Sequence, residues 1–95
     1  MNIQIQAIHF AADQQLKGFI NKKVEKLISI DDSIISADVY LKVDKPESHD
    51  NTIVEIKIQS ADGEFFAKKQ SNSFEESADL VSHALRKQIL KHKDK

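Results

Sequence analysis

The chain has 95 residues, 40% of them hydrophobic and 31% charged, and a formal net charge of −1 at pH 7. That length holds one domain with a single modest core, and the balance of apolar and charged residues fits a folded globule better than a disordered tail. The absence of cysteine excludes disulfides and thiolate metal sites and fits a reducing compartment.

No apolar run approaches the length of a membrane span. The start, MNIQIQAIHF, alternates and lacks the charged-then-apolar form of a signal peptide, so the cytoplasm is the expected location. Met1, Ile3, Ile5 and Ala7 alternate with Asn2, Gln4 and Gln6, the period of a half-buried strand. Asp13 has the character of an N-cap. Behind it Leu16, Phe19, Ile20, Val24, Leu27 and Ile28 fall on one side of a helix that runs to about Ser29. Gly18 inside that helix is unfavourable by roughly 1 kcal/mol against alanine. Lys22, Lys23 and Lys26 project together along one flank, with Lys23 nearest the apolar face, where it can bury its stem.

Asp31-Asp32-Ser33 reads as the turn after this helix. Ala37, Val39, Leu41 and Val43 alternate with Asp38, Tyr40 and Lys42 as a second strand, and Pro46 to Asn51 form a polar loop. Val54, Ile56 and Ile58 mark a third strand. Ala61-Asp62-Gly63 marks a hairpin turn, and Glu64 to Gln70 a short fourth strand. The last stretch begins with Ser73, three residues ahead of Glu76, the spacing of a capping box. Phe74, Ala78, Val81, Leu85 and Ile89 then give one apolar helical face, acidic at its start and basic at its end, as the helix dipole favours.

The order is β-α-β-β-β-α. Two strands joined through a helix pair in parallel by a right-handed crossover, and the remaining strands form a meander. Four strands with one apolar face need a cover, which two amphipathic helices supply. The expected fold is therefore an α+β two-layer sandwich, with the face carrying Gln4, Gln6, Asp38, Tyr40, Lys42, Glu55 and Lys57 largely wet.

Catalytic signatures are missing. Two well-separated glycines exclude a Gly-rich phosphate cradle, and no Gly-x-Ser-x-Gly elbow is present. His9, His49, His83 and His92 have no paired spacing suited to a metal. Asp31 and Asp32 could be imagined as acid and base, but a turn is the better reading of them. The sequence thus predicts no enzyme, no cofactor, no metal and no small-molecule substrate.

What remains is charge distribution. From Asp31 to Asp50 there are six acids and two bases, whereas from Arg86 to Lys95 there are five bases and one acid. Lys22, Lys23 and Lys26 on the first helix, Lys68 and Lys69 on the last strand, and Arg86, Lys87, Lys91 and Lys93 on the last helix are the cations available to a polyanion. The helix lysines should present on the same side of the molecule. The residues alone leave open a plain solvated lysine face, a nucleic-acid surface, and a protein-docking module. The docking module would use the open sheet face or the acidic 31–50 region, for example to modulate a transcription factor.

Three stretches carry a likeness: Lys23-Val24-Glu25-Lys26-Leu27, Leu41-Lys42-Val43-Asp44-Lys45, and Arg86 to Lys95, RKQILKHKDK. The chain resembles, over its whole length, the ribosome hibernation factors, the family of hibernation promoting factor and ribosome-associated inhibitor A. The resemblance implies a fold akin to double-stranded-RNA-binding domains. It also implies a site on the small ribosomal subunit between head and body, in the channel of mRNA and tRNA. Contacts there are mainly to rRNA, with ribosomal proteins as further candidates, and they silence idle ribosomes under stress or in stationary phase. By position, Lys23, Lys26, Arg86 or Lys87, Lys91, His92 and Lys93 match basic family positions. Lys22, Lys68 and Lys69 come from charge alone.

Departures are visible too. Ser73-Phe74-Glu75 stands where the family usually has an Asp-Met-Tyr-like start, and Ala84 replaces a commonly basic position. The loop from Pro46 to Thr52 is longer than usual. The chain reads as a single ribosome-binding domain, 1–95, without the further C-terminal domain of long members.

Overall fold

The structure, a computed structural model, describes residues 2–8, 10–44 and 51–93. Its elements follow in the order β1 (Asn2–Ile8), α1 (Gln14–Ile28), β2 (Ile34–Val43), β3 (Thr52–Ser60), β4 (Gly63–Ser71) and α2 (Phe74–Lys93). The sheet runs β1-β2-β3-β4, with β1 and β2 parallel and the other pairs antiparallel. This is the α+β, β-α-β-β-β-α arrangement that the patterning predicts. The loop expected from Pro46 lies outside the described residues up to Asn51. Its neck is closed by the Asp44 amide donating to the Asn51 carbonyl at 2.7 Å.

Alternation sets the register. The rows Ile3–Ala37–Ile58–Phe65 and Ile5–Val39–Ile56–Ala67 face the helices, and the intervening row Gln4–Asp38–Lys57–Phe66 faces away. Against the first set α1 buries Ile20, Val24, Leu27 and Ile28, while α2 buries Ala78, Val81, Leu85 and Ile89. A one-residue slip would turn every apolar side chain to water, so the register is strongly specified. The second strand starts three residues earlier than its alternation indicates. An irregularity between Ile34 and Ser36 leaves Ile34 buried and Ile35 59% exposed, which breaks the period-two signal at that point.

Both helix starts are capped. Asp13 Oδ1 accepts from the Leu16 amide at 2.8 Å, and Ser73 Oγ accepts from the Glu76 amide at 3.1 Å. The reciprocal half of the expected capping box is replaced, because the Ser73 amide turns to Ser71 Oγ at 3.4 Å. Beneath it the fully buried Ser77 hydroxyl donates to the Thr52 carbonyl at 3.0 Å and lies 2.7 Å from Ser71 Oγ. This polar cluster pins the start of α2 onto β3 and β4. The Phe10 and Phe74 rings stack at 5.2 Å and tie the start of α2 to the segment that leads into α1. Lys93 Nζ donates to the Ile30 carbonyl at 2.6 Å, just beyond the end of α1. The two helices therefore lie side by side and point the same way, with their cationic last turns at one end.

Candidate nucleic-acid interface

A groove of about 220 Å³ runs between the helices, and Lys23, Lys26, Asp79, Ser82, His83 and Arg86 line it together with the apolar Leu27 and Ile30. α1 contributes Lys23 and Lys26 at i and i+3. α2 contributes Asp79, Ser82 and Arg86, whose spacing of three and four keeps them on one flank. Lys22, Lys23 and Lys26 continue outward around Phe19 into a second shallow recess. Lys22, Lys26 and Arg86 are exposed and make no ion pair among the described residues. They form one electropositive strip along the seam of the two helices.

Lys23 is partly exposed and has partners at the groove. Its ammonium pairs with Asp79 and sits 5.3 Å from the centre of the Phe19 ring. Among the described residues Asp79 is the groove's single carboxylate, so three lysine or arginine cations there face one acid.

The remaining predicted cations do not all join this strip. Successive residues lie about 100° apart around a helix, so Lys87 points away from Arg86 toward the outer flank of α2. Lys91 and His92 line a separate recess with Phe65 and Gln88, on the β4 side. His92 is engaged locally: its ring meets the Phe65 ring edge-on at 5.5 Å, and its Nε2 lies 3.7 Å from Asp62 Oδ2. Lys93 is tied to Ile30, as described above. Lys69 is the exposed outer end of the row Ala7–Leu41–Val54–Lys69, on the helix side of the edge strand.

Lys68 is displaced altogether. It belongs to the row Gln6–Tyr40–Glu55–Lys68 on the open face, opposite the helices, because strand residues alternate sides. The helix cations thus occupy two flanks of the helix layer, and Lys68 lies behind the sheet.

The sequence alone does not mark Asp79, Ser82 and His83 as residues of the groove. Helical spacing from Arg86 was the available signal, but only the position of α1 shows that this flank closes a groove. Asp31 performs the turn role: the Ser33 amide at 3.0 Å and hydroxyl at 2.9 Å hold its carboxyl below the ordinary aspartate range, aided by Lys93 and His92. Among the described residues no group of three or more His, Cys, Asp or Glu gathers where a metal could sit, and no helix is long and apolar enough to cross a membrane.

The fold has counterparts among known proteins. A ribosome hibernation promoting factor of Pseudomonas putida is 27% identical over 95 residues, covering 100% of this chain and 89% of that protein. A ribosomal subunit interface protein from Coxiella burnetii superimposes with a TM-score of 0.88 at 22% identity, with 100% of both chains covered. The N-terminal domain of Protein Y from Thermus thermophilus gives a TM-score of 0.82 at 17% identity, covering 97% of this chain and 99% of that one. At such identities the two structures speak for the fold. Residues 3–95 match the pattern of the family described as Sigma 54 modulation protein / S30EA ribosomal protein, and the chain belongs to that family.

Proposed function

We propose that this protein binds the small ribosomal subunit in the mRNA and tRNA channel and inactivates idle ribosomes by occupying it. The observation that carries the reading is the cationic helix layer, on which Lys22, Lys26, Arg86, Lys87 and Lys91 are exposed and without carboxylate partners among the described residues. Lysine and arginine heads neutralise rRNA phosphates and release their counterions, and the bulk of the domain excludes competing ligands. Occlusion needs no bond to be made or broken. The name of the Pseudomonas putida relative supports the same reading. Residues 1–95 act as one ribosome-binding domain, and a cytoplasmic location follows from the partner.

The open sheet face offers a docking partner less. Two of its carboxylates, Glu55 and Glu64, are already paired with Lys42 and Lys57.

Sedimentation of the purified protein with small subunits in rising salt tests the proposal. Neutralising about five phosphates predicts a log–log slope of about −3.5 with the single-strand coefficient. Binding that ignores salt would contradict it.

A further inference from the structure

The recess between α1 and α2 contains one polar atom that the fold leaves unsatisfied. The Ser82 hydroxyl oxygen is shut away from solvent and has no hydrogen-bond partner among the described residues. A buried hydroxyl in that state is unfavourable and calls for an explanation. Ser82 stands three residues after Asp79 and four before Arg86, on the flank of α2 that faces Lys23 and Lys26. Asp79, held by the Lys23 ammonium, is a resident anion in a recess whose other charged residues, among those described, are the cations Lys23, Lys26 and Arg86, with the apolar Leu27 and Ile30 and the ring of His83 completing the lining.

We propose that this recess is a discrete phosphate site. An entering phosphate group takes Lys23 over from Asp79, opens the recess, and gives the Ser82 hydroxyl its missing acceptor, with Lys26 and Arg86 balancing its charge. The exchange is easy because the Lys23 and Asp79 side chains are 34% and 56% exposed, and ion pairs so solvated hold weakly. The bond Ser82 gains is a strong one, since its acceptor is charged. The source of the phosphate, a phosphodiester of RNA, rests on the ribosome-binding reading above. The site itself rests on the recess. Lys87 and Lys91 lie outside it, so it is separable from the general cationic coat.

The test is an amide NMR titration of the whole chain, first with inorganic phosphate and then with a short single-stranded RNA. Saturable shifts centred on Lys23, Ser82, His83 and Arg86 are expected. Ser82→Ala should weaken phosphate binding about tenfold, with a melting temperature equal to or above the parent's, because an unpartnered hydroxyl has been removed. Asp79→Asn should tighten it by up to about fivefold, because the internal competitor is neutralised. Shifts spread evenly over all exposed lysines, or a Ser82→Ala titration that overlays the parent's, would overturn the site. Phosphate shifts in the recess without an RNA response there would support the site and assign it to a free phosphate monoester. A parent protein that fails to sediment with small subunits would overturn the ribosome reading, and the phosphate titration would still decide the site.

Discussion

Replacing Gly18 with alanine should stabilise this domain, although glycine stands inside a helix that borders the candidate interface. A Cβ built at Gly18 meets nothing within 4 Å, and the residue is exposed in the body of α1. No steric penalty therefore offsets the gain. Alanine is favoured over glycine in a helix interior by about 0.8–1 kcal/mol, largely because the unfolded chain loses freedom. For a domain of this size, 1 kcal/mol corresponds to a rise in melting temperature of roughly 4–8 °C. Gly63 is the internal control. It opens β4 with φ +147°, a backbone conformation that side chains rarely adopt, and there the same substitution should destabilise by about 1–3 kcal/mol. Thermal melting followed by circular dichroism reads both variants. A Gly18→Ala melting temperature at or below the parent's, or a Gly63→Ala variant as stable as the parent, would refute the reasoning.

Other expectations concern the polar cluster and acid pH. Ser77→Ala leaves the Thr52 carbonyl and the Ser71 hydroxyl short of a buried partner and should lower stability by about 1–3 kcal/mol, measurable by urea unfolding; an unchanged midpoint would contradict this. Ser33 holds the Asp31 carboxyl below its ordinary 3.8, and the Gln59 amide followed by Lys57 holds Glu64 below its ordinary 4.5. Depressed carboxyl values contribute stability that is fully present above those ordinary values and is lost as pH falls through the lower folded-state values. Asp31→Asn should therefore melt lower at neutral pH and lose less on acidification than the parent. Parallel curves of melting temperature against pH would count against that assignment.

Most of the fold was legible because each element carried its own signal. The cap at Asp13, the i, i+3, i+4 spacing of Ile20, Val24, Leu27 and Ile28, and the alternation of Val54, Ile56 and Ile58 each name one structure. The start of β2 was not legible, since the irregularity around Ile35 erases the period there. The Asp62-Gly63 pair marked the hairpin, yet Ser60 pairs with Gly63, so Ala61-Asp62 is the loop and the glycine begins the strand.

The geometry of the candidate groove was half legible. Charge and helical spacing identify Lys22, Lys26 and Arg86, but they do not say which flank of α2 meets α1. The separation of Arg86 from Lys87, and the grip of Asp79 on Lys23, therefore emerged only with the two helices in place. Alternation with the buried Phe65 and Ala67 places Lys68 on the open face of the sheet.

The proposed function requires the cations of the helix layer, not those behind the sheet, to meet rRNA. Salt-dependent sedimentation with small ribosomal subunits, comparing Lys26→Ala/Arg86→Ala with Lys68→Ala, tests that division most directly. Removing two phosphate contacts should lower the slope from about −3.5 to about −2.1, while the Lys68 variant keeps the parent's slope. The reverse pattern, or three identical slopes, would contradict the account.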